Sequence, residues 1–150
     1  MLLRTHLVVA VMIYLFIMNL LREKIMFFVF LLIATVFVDI DSKKSKLGKR
    51  WYLRPLQWFV SHRGVFHSLL AALVFSFVIF SFNHYAGYGF FVGYLIHLIL
   101  DCLTDRGCRM FWPISDLKFS FFVRSGGLIE EIIFVLVFLF DLFLVFKIFF

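Results

Sequence analysis

Histidine and carboxylate side chains occur at five separate places in an otherwise strongly apolar sequence. Neutral imidazole and carboxylate groups are the usual protein ligands of catalytic divalent metals such as zinc, manganese and iron. A bound cation would also offset the cost of burying carboxylates, because it neutralises their charge. The pattern therefore predicts a divalent-metal site, with zinc or manganese favoured. The predicted ligands are Asp39, Asp41, His67, His97 and Asp101, with His6 as an alternate.

One stretch carries the most specific spacing. Gly89, Gly93, His97 and Asp101 recur every four residues, so a helix places all four on one face. The two glycines form a G-x-x-x-G pattern, which lets a second helix approach closely. His97 and Asp101 would then point into the packed bundle, where both can reach one ion.

Polar residues near these ligands suggest supporting roles. His62 or Glu130 could relay protons in a hydrolytic reaction. Arg63 and Arg106 could bind an anionic group such as a phosphate. Asp141 lies alone in an apolar run, where it serves either a proton path or, more readily, a hydrogen bond between helices.

The elements that position these residues must be membrane helices. The chain has 150 residues, of which 64% are hydrophobic and 16% charged, far more apolar than a soluble domain. A transmembrane helix needs about 20 apolar residues. The prediction is a single all-α domain, a polytopic bundle of about five transmembrane helices, with a tight loop over 83–88. The expected spans are 2–21, 25–40, 64–82, 89–104 and 128–150.

The distribution of basic residues predicts the orientation. Five spans place the connections between spans one and two and between spans three and four on one side of the membrane. Of the 15 lysines and arginines, that side holds only three, namely Arg22, Lys24 and Lys147. The remaining basic residues share a side with the N-terminus, which is therefore expected in the cytoplasm, in a multi-pass protein of the inner membrane. Every predicted ligand lies toward that side. The depth of the ligands favours membrane lipids as partners and a lipid as substrate.

Two other features have less specific interpretations. Cys102 and Cys108 have neither a zinc-ribbon spacing nor further cysteines to form a framework, so free thiols are favoured. The segment 42–54 holds six basic residues, and binding to anionic lipid headgroups is a better interpretation than binding to nucleic acid. The sequence sets no oligomeric state.

Three motifs together resemble those of the YdjM family. They are Asp39-Ile-Asp41, His62-Arg-Gly-x-x-His67-Ser68 and Gly93-Tyr-x-x-His97-x-x-x-Asp101-x-x-Thr104-x-x-Gly107. Members of this family are described as LexA-binding and associated with the inner membrane. They are assigned a metal-dependent hydrolase activity from their ligand-like residues. The resemblance covers about residues 5 to 131. Two positions depart from the family pattern, because Ser42 replaces a histidine and Phe66 replaces a threonine.

The sequence thus favours a membrane-embedded metal-dependent hydrolase that acts at the cytoplasmic interface on a lipid ester or phosphoester. The chain lacks the H-E-x-x-H motif of zinc proteases and the G-x-S-x-G motif of serine hydrolases. Two alternatives stay open. The same ligands could bind a metal ion in transit through a transporter, or the chain could be a non-enzymatic membrane protein that binds a regulator.

Overall fold

The computed structural model describes residues 1–41 and 65–149, and its regular elements there are all helical. Five α-helices lie within these two ranges, accompanied by short 3-10 turns over Met18–Leu20, Val38–Asp41 and Val65–His67. The helices are α1 (Leu3–Ile17), α2 (Lys24–Phe37), α3 (Leu69–Phe80), α4 (His84–Cys102) and α5 (Leu128–Phe149). The prediction of an all-α fold is confirmed.

Helix α4 forms the centre of the bundle. Two thirds of the residues in its most apolar stretch (67%) are buried, against 17% for the segment Leu3–Leu20 that contains α1. Tyr94 and Leu98 of α4 pack with Ala34 and Val38 at the end of α2 and with Ala72 of α3. A second cluster of buried residues joins the other face of α4 to α1 and α2. Because α4 packs against α1, α2 and α3, its polar residues are held on several sides.

The G-x-x-x-G pattern brings α2 and α4 into contact. A β-carbon added at Gly89 would collide with the carbonyl oxygen of Phe27, and one at Gly93 would collide with that of Leu31. These two contacts advance together along both helices, so α2 and α4 run parallel. Close approach of two backbones is the packing that small residues permit in membrane helices.

The five helices alternate in direction, and one end of the bundle collects the polar residues. Tyr14 stacks on Phe28 across the α1–α2 turn, and Phe80 contacts Tyr88 across the α3–α4 turn. Helix α5 runs parallel to α1, since Arg4 pairs with Glu131 and Phe16 contacts Phe140. Helices α1, α3 and α5 therefore begin at the end where α2 and α4 finish.

The structure corrects one predicted feature and bears out another only in part. The loop expected over 83–88 is mostly helix, because α4 begins at His84. The Asn83 side chain accepts a hydrogen bond from the Ala86 N–H at 2.9 Å and so caps the helix early. Among the described residues, only Leu3–Leu20 and His84–Cys102 are long and apolar enough to span a membrane, and Leu69–Phe80 is apolar but shorter. Each predicted span overlaps one of the five described helices, and the crossing of the membrane by all five stays a prediction.

The two cysteines, expected as free thiols, form a disulfide between Cys102 and Cys108. Gly107 allows this pairing, because its φ of 58° turns the chain back toward the end of α4. The disulfide lies at the start of the segment that connects α4 to α5. We call this segment, residues 103–127, the α4–α5 loop. Backbone pairs join Thr104 to Val123 and Cys108 to Phe119 within this loop.

Candidate metal centre

His97 lies on the buried face of α4, with no exposed surface. Its Nδ1 atom lies 2.8 Å from the carbonyl oxygen of Thr35 in α2. A carbonyl oxygen only accepts hydrogen bonds, so Nδ1 carries the proton and donates it. In the neutral imidazole this leaves the Nε2 lone pair available, which is the arrangement found in metal-binding histidines.

His6 repeats this arrangement in the first turns of α1. Its Nδ1 lies 3.0 Å from the carbonyl oxygen of Leu2, and its Nε2 lies 3.5 Å from Asp101 Oδ1. The ring stacks on that of His97, with centroids 4.2 Å apart. His6 and His97 are both completely buried, and neither Nε2 has a hydrogen-bond partner among the described residues.

His67 reaches the same place from the start of α3. It ends the 3-10 turn Val65–His67, whose shape is set by two hydrogen bonds. The Ser68 hydroxyl donates to the carbonyl of Val65 at 2.7 Å, and the Tyr94 hydroxyl donates to the carbonyl of Phe66 at 2.5 Å. His67 Nε2 then lies 3.5 Å from Asp101 Oδ2.

Asp101 occupies the middle of the cluster, with only 4% of its side chain exposed. Its Oδ1 faces His6 and also lies 2.7 Å from the Met1 nitrogen, whereas its Oδ2 faces His67 and His97. Asp39, in the 3-10 turn that ends α2, places Oδ1 3.8 Å from His97 Nε2. At 25% exposure, the Asp39 side chain is the accessible one of these carboxylates.

The donor atoms lie close enough together to converge on one metal ion. The donor atoms of His6, His97 and Asp101 lie within 4.8 Å of one another, as do those of Asp39, His67 and His97. Two ligands of one tetrahedral zinc ion lie about 3.4 Å apart. The observed separations of 3.5 to 3.9 Å from Asp101 therefore need to contract by only a few tenths of an ångström.

The predicted ligands thus come from four elements of the bundle. The structure brings together His6 of α1, Asp39 after α2, His67 before α3, and His97 with Asp101 of α4. The side chain of Asp41 lies outside the described part of the chain, as do His62 and Arg63. Their assignments as ligand, proton relay and anion-binding residue stay predictions.

The other predicted site residues lie around this centre in different ways. Arg106 is exposed in the α4–α5 loop, two residues beyond Thr104. Glu130 is buried, and its Oε1 accepts hydrogen bonds from the Leu2 N–H at 2.5 Å and the Thr5 hydroxyl at 2.8 Å. The Gly126 N–H donates to Glu130 Oε2 at 2.6 Å. These contacts fasten the start of α1 to the start of α5.

Three positioning residues were not among the predicted site residues. Thr35 acts through its carbonyl, which no side-chain pattern shows, although a threonine in an apolar helix is a weak signal. Its hydroxyl bonds back to the Leu31 carbonyl at 2.8 Å. Tyr94 lies three residues before His97 on the same helix, and Thr5 precedes His6. Each is a polar residue beside a predicted ligand, which is the one sequence signal that could have identified it.

Comparison with known proteins supports the family resemblance. A family model described as "YdjM inner membrane protein" matches residues 1–149. The chain is 39% identical over 84 residues to "Inner membrane protein YdjM" of Escherichia coli (strain K12), and equally to that of Shigella flexneri. It is 24% identical over 106 residues to "Uncharacterized protein YvsG" of Bacillus subtilis (strain 168).

These matches differ in extent. The two proteins named YdjM align with 50% of this chain and 43% of their own length, so the chain spans less than half of those relatives. The Bacillus protein aligns with 67% of this chain and 66% of its own length. No solved structure matches the chain.

Proposed function

The chain belongs to the YdjM family of inner membrane proteins, and on that premise we propose that it is a metal-dependent hydrolase embedded in the membrane. The substrate we propose is a lipid ester or phosphoester. The structure holds a possible metal-binding site, and the catalytic activity is our inference from that site.

One observation supports this proposal most strongly. His97 Nε2 faces Asp39 Oδ1 at 3.8 Å and Asp101 Oδ2 at 3.9 Å, with Nδ1 already donating to Thr35. Both distances are too long for hydrogen bonds. A lone pair opposite two carboxylates is electrostatically unfavourable in a buried site unless a cation lies between them. A divalent ion satisfies all three groups at once.

The ligand set is suited to hydrolysis. When bound, a divalent cation would bring the pKa of a coordinated water toward neutrality and polarise the scissile group. The chain itself keeps bulk water away from this place through the buried His6, His67 and His97. Asp39 is the partly exposed carboxylate of the set, so we infer that a substrate approaches from its side.

The depth of the site favours a lipid as substrate. His97 lies five residues before the end of α4, which is about 8 Å at the rise of an α-helix. Ester and phosphate groups of a bilayer lipid lie near this level of a spanning helix. The basic Arg106 beyond the helix end could bind the phosphate of such a lipid, as the sequence predicts.

The first experiment measures the metal content of the detergent-purified protein by elemental mass spectrometry. We expect about one divalent ion per chain, and a loss of at least tenfold in His97→Ala and in Asp101→Ala. His84→Ala and Asp116→Ala are matched controls, because His84 lies at the opposite end of α4 and Asp116 is exposed. Metal retained in both site variants would contradict the proposed centre.

The second experiment separates catalysis from metal binding. The metal-loaded protein, reconstituted in lipid, is incubated with phospholipids and acylglycerols, and the products are identified by mass spectrometry. We expect turnover that disappears in His97→Ala. Stoichiometric metal binding without hydrolysis of any of these lipids would support the metal centre and refute the proposed hydrolase activity.

Asp141 favours a second candidate function, the transport of a metal ion. This carboxylate lies midway along α5, is 7% exposed, and its Oδ1 has no hydrogen-bond partner among the described residues. A buried carboxylate within a membrane helix is expensive and is commonly part of an ion pathway. Metal uptake into proteoliposomes that is abolished by Asp141→Asn would support transport, whereas uptake equal to that of empty vesicles would exclude it.

A further inference from the structure

The α4–α5 loop exposes an unusual amount of apolar surface for a connecting segment. Ile114 is 89% exposed and Phe122 is 80% exposed. Other large apolar side chains of the loop are also exposed, whereas surface loops are normally polar. The exposed set is Phe111, Ile114, Leu117, Phe119, Phe121 and Phe122.

The loop presents these side chains from a fixed backbone. Cys108 and Phe119 exchange two backbone hydrogen bonds of 3.0 Å, and Asp105 donates to the Val123 carbonyl at 3.0 Å. The disulfide between Cys102 and Cys108 holds the start of the loop against the end of α4. These contacts fix the backbone from which the apolar side chains project, so a partner would meet them as a preformed surface.

The charges within the loop identify the chemistry of that partner. Its basic residues outnumber its acidic residues, Asp105 and Asp116, and all of these charged side chains are exposed. One acidic group is already used, because Arg109 pairs with Asp116 at 3.3 Å. The remaining positive charges stand among aromatic side chains, as in segments that lie at the surface of anionic membranes. The remaining basic residues are Arg106, Lys118 and Arg124.

The position of the loop points to the same partner. The loop begins where α4 ends and finishes where α5 begins. Helix α4 is long and apolar enough to span a membrane, and a membrane that α4 spans would lie directly beside the loop. The Thr104 hydroxyl donates to the Asp101 carbonyl at 2.7 Å, and the Leu69 N–H donates to the Met110 carbonyl at 2.8 Å. The loop is thus tied to the backbone beside both Asp101 and His67.

We propose that the α4–α5 loop docks into the anionic headgroup layer of its own membrane, with Ile114 and Phe122 inserted among the lipids. The basic side chains contact lipid phosphates, and the inserted side chains set the depth of the metal centre. This inference rests on the membrane location and the loop, and it holds whether or not the centre is hydrolytic.

Tryptophan fluorescence tests the insertion directly. In a background with Trp51, Trp58 and Trp112 replaced by Phe, single tryptophans are introduced as Ile114→Trp, Phe122→Trp and, as the aqueous control, Asp116→Trp. The full chain is placed in nanodiscs that contain phosphatidylglycerol. We expect brominated lipids to quench the tryptophans at 114 and 122 at least threefold more than the control, and acrylamide to quench the control most.

The outcomes separate lipid from other partners. Strong acrylamide quenching at 114 and 122 would show a loop in water and overturn the proposal. Quenching by neither reagent would show a protein partner or a second copy over the surface, which also overturns it. The anionic requirement is tested with Arg106→Gln, Lys118→Gln and Arg124→Gln combined. We expect this variant to lose the extra lipid quenching that phosphatidylglycerol gives over phosphatidylcholine, and an unchanged difference would refute the charge contact.

Discussion

At the level of single residues, proton positions connect the structure to its chemistry. The carbonyl oxygens of Leu2 and Thr35 each accept from a histidine Nδ1, so both Nε2 atoms turn toward Asp101. These carbonyls belong to helix backbones and cannot be removed by substitution. The packing of α4 against α2 therefore orients His97, whereas the first turn of α1 orients His6. Neither orientation depends on a nearby side chain.

Glu130 offers a residue-scale prediction about its role. Its two carboxylate oxygens accept three hydrogen bonds in a buried place, and a glutamine would turn one oxygen into a donor that faces an N–H. We expect Glu130→Gln to lower the free energy of unfolding by about 1 to 3 kcal/mol. Thermal unfolding in detergent measures this loss.

Glu131→Gln is the matched control for Glu130→Gln. Glu131 is half-exposed and pairs with Arg4, so its loss should cost only about 0 to 1 kcal/mol. If Glu130→Gln unfolds like the wild type but loses turnover, Glu130 acts as the proton relay that the sequence predicts. If the Glu130→Gln variant loses stability and keeps metal-dependent turnover, Glu130 has only the structural role of linking α1 to α5.

At the level of elements, the α2–α4 contact determines whether the ligands meet. In Gly93→Ala the added methyl group meets the Leu31 carbonyl, so the helices must separate. Overpacking of this kind costs about 1 to 3 kcal/mol. Separation would also draw Thr35 away from His97, so we expect weaker metal binding, measured by titration with zinc.

Ile99→Ala on the same helix controls for a general effect of substitution in α4. Ile99 is 51% exposed, and its truncation leaves the α2 contact untouched. We expect its zinc affinity to equal that of the wild type. Equal affinity in Gly93→Ala as well would show that the close approach of the two backbones does not matter for the site.

The disulfide gives a second prediction at this scale. Maleimide added to the denatured protein without reductant should modify neither Cys102 nor Cys108, and intact mass spectrometry should show two adducts after reduction. A Cys102→Ser variant, with one free thiol, shows that the reagent reaches this segment. Two adducts on the unreduced wild type would contradict the disulfide and support the free thiols expected from the sequence.

Some elements could be predicted from the sequence and others could not. The spacing of Gly89, Gly93, His97 and Asp101 indicates one helix face, and the structure places that face against α2. Helix starts were less accessible, because the early start of α4 depends on a cap from Asn83. The disulfide was missed since C-x5-C has no fixed geometry until Gly107 turns the chain. The fastening by Glu130 joins residues 125 or more apart, a separation at which local patterns carry no information.

At the level of the whole molecule, orientation in the membrane is the main open prediction. The distribution of basic residues predicts the metal centre on the cytoplasmic side and the far end of α5 outside. The disulfide at the same end is of a kind that persists mainly in oxidising compartments. The two features therefore predict opposite orientations unless the disulfide is formed only transiently.

Reporter fusions after residue 150 decide between them. If the basic residues set the orientation, a fused alkaline phosphatase should be active and a fused green fluorescent protein dark. Both fusions are compared with the same reporters placed after residue 82, between α3 and α4, which should behave identically since both positions lie at the same end of the bundle. A fluorescent, phosphatase-negative fusion at 150 would place the metal centre outside the cytoplasm.

The fastening of α1 to α5 has a consequence for biogenesis. The ribosome delivers α1 long before Glu130, so Leu2 and Thr5 receive their shared acceptor only when α5 begins to emerge. Until then His6 has its own contact with the Leu2 carbonyl, but the start of α1 lacks its link to α5. We expect a nascent chain that stalls before α5 to hold His6 less firmly beside Asp101 than the folded protein does.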